Sequence, residues 1–389
     1  MVNRLLKPLK SRSFFVFGPR GVGKSTWVRG HFSLKESLYI NLLDPETFDK
    51  FLLRPKSLKE VLDLPENKNK VVIIDEIQKA PKLLDIIHHE ISLHKTIFVL
   101  TGSSARRLKQ QGVNLLAGRA SVYYMYALSM TELGSQFNLS QSLARGTLPD
   151  AYFASSEEEA HEYLKSYVYT YIEKEIQQEQ WVRKLEPFRK FLQISAQMNC
   201  KILNKSKIAT QIGVQPSTVE SYYEILEDTL LGFRLPGFET SIRKQVRLGE
   251  KFYFFDTGVV RAIEKTLSVP MIEHTSYYGN LFETFVINEV RKHIEYKRLD
   301  WTLSYLMTKE ELEVDLVLQI PDKSLILIEI KSTTQATEQD IKSLVDLGTD
   351  LDKKMKRVSK KFLISQDSQK RIMNGVQCLH FSSLALIFE

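Results

Sequence analysis

Residues 13–26 read SFFVFGPRGVGKST: an apolar run, Ser13–Phe17, then glycines at 18, 21 and 23, then Lys24 and Ser25. The run has the length and unbroken apolar character of a strand buried on both faces, and helix-like sequence follows from Lys24. Gly18-Pro19-Arg20-Gly21-Val22-Gly23-Lys24-Ser25 fits the pattern G-x-x-x-x-G-K-[ST]. Glycines there let backbone N–H groups turn inward around phosphates without a Cβ clash. Lys24 supplies a point charge to the β- and γ-phosphates, and the Ser25 hydroxyl suits Mg2+. The helix that starts there adds its positive end. The expected nucleotide-binding set is Gly18, Pro19, Arg20, Gly21, Val22, Gly23, Lys24, Ser25 and Thr26. The four fixed positions arise by chance in about one chain in a hundred of ordinary composition. The flanking strand and helix therefore carry the rest of the reading, against a plain glycine turn.

Outward from this stretch, Leu38–Asn41, Val71–Asp75, Ile97–Thr101 and Ala120–Tyr126 are further strand candidates. Their alternation with helical patterns predicts an α/β layer with a parallel sheet. Val71–Asp75 ends in Asp75-Glu76: Asp75 is expected to hold Mg2+ directly or through water, and Glu76 to polarise the attacking water. A buried strand ending in acid at a helix cap is the alternative. The next strand ends in Thr101-Gly102-Ser103-Ser104, where Ser103 suits the γ-phosphate or the attacking water and helix capping is equally good chemistry. Of Arg106, Arg107 and Arg119, one is a candidate arginine finger for a neighbouring subunit, with Arg119 the leading choice and a solvated surface role the alternative for each.

Composition bounds the remainder. The chain has 389 residues, 43% hydrophobic and 26% charged, which excludes collagen-like, low-complexity and wholly disordered classes and suggests two to three domains. Two cysteines, Cys200 and Cys378, support neither a disulfide framework nor a four-cysteine zinc site. MVNRLLKPLK at the start is basic but lacks the apolar core of a signal peptide, and no apolar run is long enough to span a bilayer. The expectation is a cytoplasmic protein with no membrane partner. The net charge of +7 is by itself weak grounds for a polyanionic partner.

With these motifs, Leu116-Ala117-Gly118-Arg119, Leu128-Ser129-Met130-Thr131-Glu132 and Gly146-Thr147-Leu148-Pro149, the chain resembles a widespread prokaryotic group. It is the group of AAA-type ATPases fused to a C-terminal domain of unknown function. Leu128-Ser129 stands where that group usually has Pro-Leu-Ser, a departure that touches no chemistry. The resemblance implies ATP and Mg2+ as cofactors and a homo-oligomer, a hexameric ring being one form.

After a helix opened by the capping-box pair Ser156 and Glu159, helical signals continue to about Leu231, and Phe233–Leu235 and Phe252–Phe255 read as short strands. Lys207–Val214 followed by Ser217-Thr218-Val219 resembles a winged helix-turn-helix: Ala209 permits a close crossing, Gly213 turns the chain, and Val219 and Ile225 fill a core. Glu220, Glu224, Glu227 and Asp228 make the presumed recognition helix acidic, which is awkward near phosphates. Arg234, Arg243, Lys244, Arg247 and Lys251 instead assign DNA contact to the wing. A structural lid or an oligomer contact is the alternative.

In the last third, Tyr278–Glu295 reads as a helix, and Glu313–Ile320 and Leu325–Lys331 as strands joined by a turn at Pro321. A helix at Glu338–Leu347 and a strand at Lys361–Ser365 follow. Glu329 and Lys331 share a strand face, and a hairpin would bring Asp315 beside them, with Glu283 reaching in from the helix. Acid, acid and E-x-K resemble the PD-(D/E)xK nuclease core, with Val314 where proline is usual. The resemblance implies Glu283, Asp315 and Glu329 as metal ligands and Asp315, Glu329 and Lys331 as catalytic. A salt bridge of Lys331 with Asp315 or Glu329 is the structural alternative. The basic run Lys353–Lys361 is either a DNA backbone contact or a solvated face.

The expected architecture is thus α/β in three parts: a P-loop AAA-type ATPase domain (1–135), a helical lid with a winged helix-turn-helix module (136–265) and a restriction-endonuclease-like domain (266–389). The expected function is Mg2+-dependent ATP hydrolysis coupled to binding and remodelling or processing DNA. The alternative is an ATP-switched regulator or scaffold whose nuclease-like domain only binds. Kinase-like phosphoryl transfer shares the loop but lacks an evident acceptor pocket.

Overall fold

A computed structural model of the chain describes residues 2–33, 35–104, 116–172, 185–239, 249–308 and 312–389. Five strands, β1 (Ser13–Phe17), β2 (Ser37–Asn41), β3 (Val71–Asp75), β4 (Phe98–Gly102) and β5 (Ala120–Tyr124), form one sheet in the order β2-β3-β4-β1-β5. All its pairings are parallel. Every residue of β1 and of β4 is buried, which explains their unbroken apolar sequence. Parallel neighbours need crossovers, supplied here by the helices Lys24–His31, Pro45–Leu53, Ser57–Leu62 and Leu83–His94. Asp44 caps the second, its Oδ2 accepting from Thr47 N at 2.9 Å, with Pro45 at the first helical position. Phe15, Phe17, Ile74, Leu100, Leu83 and Ile87 share one core cluster. Because the strands run the same way, β1, β3 and β4 deliver the segments after Phe17, Asp75 and Gly102 to one edge, where open α/β sheets bind ligands.

This sheet belongs to a compact unit of Met1–Leu128 with Ile225–Leu231; Ser129–Glu224 with Gly232–Glu389 form a second. The second unit begins with a complete capping box: Ser129 Oγ accepts from Glu132 N, and Glu132 Oε2 accepts from Ser129 N. The pair expected at Ser156 and Glu159 is only half formed. Ser156 caps the helix Glu157–Ser166, but the Glu159 carboxylate turns back to Ser155 N at 2.8 Å. Gly146, at φ 74°, and Gly258 allow a tight crossing around fully buried Asp256, whose Oδ2 accepts from Thr147 N at 2.6 Å and Oδ1 from Val259 N at 3.1 Å.

The helices Lys205–Ile212 and Pro216–Asp228 meet across Gly213, which sits in the left-handed region at φ 72°. The antiparallel hairpin β6 (Gly232–Pro236) and β7 (Glu250–Phe254) follows. A six-stranded mixed sheet closes the unit in the order β12-β13-β11-β10-β9-β8. Its strands are β8 (Thr302–Met307), β9 (Glu313–Gln319), β10 (Leu325–Ile330), β11 (Val358–Ser365), β12 (Arg371–Met373) and β13 (Val376–His380). β9 and β10 form the expected hairpin, and the helix Glu338–Met355 crosses from β10 to its parallel neighbour β11. Ile341, Leu344 and Leu347 of that helix share a core with Val314, Val317, Leu327 and Leu363.

Two expectations change here. The helix runs past Leu347 to Met355 and stops at Lys356 in the left-handed conformation, and β11 starts at Val358 rather than Lys361. The basic run Lys353–Lys361 is therefore split between a last helical turn, a cap and a strand, with Lys360 and Lys361 half-buried. No described helix is long and apolar enough to cross a membrane.

Candidate nucleotide site and carboxylate cluster

The loop after β1 is shaped by its glycines and braced from outside. Gly21 and Gly23 adopt φ of 77° and 91°, and a Cβ on Gly18 would stand 2.2 Å from Met125 O. Lys24 is buried, and its Nζ donates to Gly18 O at 2.7 Å and Pro19 O at 2.9 Å, so the ammonium lies in the mouth of its own loop. Ser25 is half-buried and Thr26 exposed in the first helical turn. Arg4, which the sequence reading passed over, donates to Val22 O at 2.7 Å and Tyr126 O at 2.5 Å and fixes the loop's far side.

The register Ile74↔Leu100 places the end of β3 beside the end of β4. Asp75 is buried there with both oxygens engaged: Thr101 Oγ1 donates to Oδ1, and Tyr39 OH donates to Oδ2 at 2.5 Å. Burial, together with Asp75, pushes the Tyr39 phenol up to about 12, so it remains a donor at neutral pH. Thr101 Oγ1 also accepts from Glu76 N at 3.1 Å, and Glu76 itself takes the left-handed conformation at φ 63°. Gln78 Nε2 then bridges Glu76 Oε2 and Ser103 Oγ, the latter at 3.1 Å. Lys24, Asp75, Glu76, Thr101 and Ser103 thus all lie on the segments that leave one edge of the sheet. The Ser25 hydroxyl and the Asp75 carboxylate are hard oxygen donors of the kind Mg2+ takes, so these residues fit that ion. Tyr39 and Gln78 were not singled out from sequence. Gln78 carried no signal of its own, being one of two polar residues in the turn Ile77–Lys79.

Arg119 precedes the first residue of β5, and β5 pairs in parallel with β1 from Ser13↔Ala120 to Phe17↔Tyr124. It therefore sits at the opposite end of the strands from its own phosphate loop, about 16 Å away at 3.3 Å per residue. There it is exposed, with Nε donating to Ser92 Oγ at 2.9 Å. Arg106 and Arg107 lie outside the described residues.

In the second unit, the hairpin register ends at Ile328↔Leu316, one step from Glu329 and Asp315. Asp315 Oδ2 accepts from Ile330 N at 2.7 Å, and Lys331 Nζ pairs with Glu329 Oε1 at 2.6 Å, which is one of the two salt bridges weighed above. Glu329 Oε2 is buried without a partner. Glu283 on the helix Ser276–Lys297 bonds elsewhere: its Oε1 accepts from Tyr253 OH at 2.6 Å and pairs with Lys251 Nζ at 3.4 Å. Lys251 also pairs with Glu313, and its ammonium lies 5.5 Å from the Tyr305 ring centre. Burial, with Asp315 nearby, pushes Glu329 up to about 8; burial outweighs Lys251 at Glu283 and pushes it up to about 7. Burial alone would lower the Lys251 ammonium, but Glu283 and Glu313 raise it above its ordinary value. Among the described residues no three His, Cys, Asp or Glu side chains converge as a metal-binding group. Lys251, Tyr253 and Glu313 are members of this cluster that sequence reading did not place in it.

Two of the basic residues assigned to a wing are turned inward. Arg234 Nη1 pairs with Glu220 and, at 3.4 Å, with Glu250, while Lys205 Nζ pairs with Glu220 at 2.5 Å and Glu250 at 3.3 Å. These partners overcome burial and hold the Glu220 carboxyl below its usual range. Lys251 belongs to the carboxylate cluster, its side chain only 5% exposed. Arg234 and Lys251 therefore serve internal ion pairs rather than a nucleic-acid surface. Arg243, Lys244 and Arg247 lie outside the described residues.

Sheet, loop and acidic strand end together define an AAA-type, P-loop ATPase-like domain at the N-terminal end, and residues 10–134 match the protein-family model described as AAA domain. The rest of the chain matches two further families: residues 136–269 the Domain of unknown function (DUF8612), and residues 278–384 the Domain of unknown function (DUF4143). The uncharacterized proteins Mb2031c of Mycobacterium bovis and Rv2008c of Mycobacterium tuberculosis are each 24% identical over 281 residues, covering 71% of this chain and 62% of theirs. The chain thus matches less than two thirds of the length of these relatives. Among solved structures, Can2 from Sulfobacillus thermosulfidooxidans in complex with cyclic tetra-adenylate aligns over 97% of this chain and 99% of its own, at 10% identity and a TM-score of 0.22. So slight a likeness carries no argument about fold or ligand.

Proposed function

We propose that the chain is an Mg2+-dependent ATP-hydrolysing protein that binds DNA and remodels or processes it. The observation that carries the ATPase reading is the convergence at one sheet edge of Lys24, seated in its glycine loop, with the network Asp75–Thr101–Glu76–Gln78–Ser103. In this reading Lys24 moves from the Gly18 and Pro19 carbonyls to the β- and γ-phosphates. Ser25 and Asp75 hold Mg2+, which neutralises phosphate charge, and Glu76 aligns water with Ser103 beside it. Arg119 serves a neighbouring subunit, which accords with its place at the far end of its own sheet and with a homo-oligomer. The DNA reading is supported by the helix–Gly213–helix–hairpin sequence, which fits a winged helix-turn-helix, and by Arg243, Lys244 and Arg247 in the connection between β6 and β7.

Incubating the chain with labelled single-stranded, duplex and branched DNA, with and without ATP and Mg2+, tests these parts together. Phosphate release abolished by Lys24→Ala supports the ATPase; release that survives it rejects the assignment. DNA affinity that falls with salt, and falls further in Arg243→Ala/Lys244→Ala, supports the wing; affinity and salt slope unchanged by those substitutions reject it.

A second reading, an ATP-switched regulator whose nuclease-like domain binds without cutting, is favoured by one observation. Lys251 engages Glu283, one of the three expected metal ligands. Mg2+-dependent cleavage lost in Asp315→Ala would decide for the processing enzyme.

A further inference from the structure

We propose that Lys251 is the resident cation of the carboxylate cluster: its ammonium fills the charge-balancing place that a divalent ion would take, and a neutral residue at 251 opens that place to such an ion. The inference rests on reading Asp315, Glu329 and Lys331 as a nuclease-like core.

Three observations carry it. Lys251 is a buried cation delivered by a different element, β7, to the point where Glu283 of the helix and Glu313 of β9 meet. A buried ammonium persists only where charged partners replace its water, and here two carboxylates and the face of Tyr305 do so. Glu283, the ligand expected from the helix, is drawn to Lys251 and Tyr253, and no described trio of acidic side chains converges on a point. Finally, Glu329 Oε2 is buried with no partner, so the cluster retains an acceptor that the two lysines leave unmet. Among the described residues, Lys251 pairs with Glu283 and Glu313 and Lys331 with Glu329, and Asp315 acts on both ammonium groups through its charge. Removing one of the two leaves a surplus of acid that a small divalent cation with oxygen preference can balance.

The test is titration of the full chain with Mn2+ in the absence of nucleotide, following free Mn2+ by electron paramagnetic resonance. The unaltered chain is expected to show no Asp315-dependent Mn2+ site. Lys251→Met is expected to gain one site per chain, bound at least about tenfold more tightly than any Mn2+ on the unaltered chain, and Lys251→Arg to gain none. An unaltered chain that binds Mn2+ in a manner abolished by Asp315→Asn overturns the proposal, as does a folded Lys251→Met that gains nothing. If Lys251→Met does not fold, the unaltered chain with its Asp315→Asn control decides alone. A gained site that survives Asp315→Asn in the Lys251→Met background leaves Lys251 as the resident cation but rejects the nuclease-like reading of Asp315.

Discussion

In the phosphate loop Lys24 donates to two backbone carbonyls of its own turn. In the carboxylate cluster the lysines are held by charges, Lys331 by Glu329 and Lys251 by Glu283 and Glu313. An incoming polyphosphate displaces two carbonyls at the cost of ordinary hydrogen bonds, whereas an anion approaching Lys251 would have to break buried ion pairs, each costing about 3–5 kcal/mol when one partner is lost. The same residue type thus marks a site ready to receive charge in one region and a site that neutralises itself in the other.

The sharpest way to break this comparison is at Glu76. Glu76→Gln removes the group assigned to the water while leaving Lys24 and its loop intact. Hydrolysis is expected to fall by about 10²–10⁴ with nucleotide binding retained. Equal loss of binding, seen with a fluorescent ATP analogue, would place Glu76 in the structural frame instead. A smaller effect is expected at Gln78, which holds Glu76 and Ser103 without facing the phosphates itself. Gln78→Leu should lower kcat about tenfold, the worth of one positioning hydrogen bond, with KM unchanged. A rise in KM alone would assign it to nucleotide binding.

The mildest test concerns pH. Glu329 is raised from its ordinary 4.5 to about 8 by burial beside Asp315. A carboxyl raised in this way adds stability that is fully present below pH 4.5 and is lost as pH rises through 8, because the folded state resists giving up the proton. Chemical unfolding of the second unit should therefore show stability declining across that window, and Glu329→Gln should flatten the decline. An unchanged slope would mean that Glu329 is ionised throughout and that Lys331 already balances it.

How much of this was legible depended on chain distance. β1 and β3 read directly, because strands buried on both faces spell unbroken apolar runs and the glycine turn lies next to Lys24. The Asp75 partners did not, since Tyr39 and Thr101 reach it from other strands and their identity depends on register. Lys251 was misread for the same reason. In sequence it is one basic residue among several near a hairpin, and only the fold sets it against Glu283 and Glu313. β8 escaped notice because an edge strand with one solvated side carries a diluted apolar signal, its burial running from exposed to buried within six residues. The helix expected to end at Leu347 continues through Gly348 to Met355. Gly348 lies inside the helix, against Lys361 and Leu327.

The crossing at Gly146 and Asp256 sets a timetable for synthesis. Thr147 N finds its acceptor 109 residues further along the chain. At about 5–20 residues per second a ribosome needs roughly 5–20 s to deliver that carboxylate. For that interval the parallel sheet of the first unit has all five strands in hand, while the opening helices of the second wait without their buried anchor.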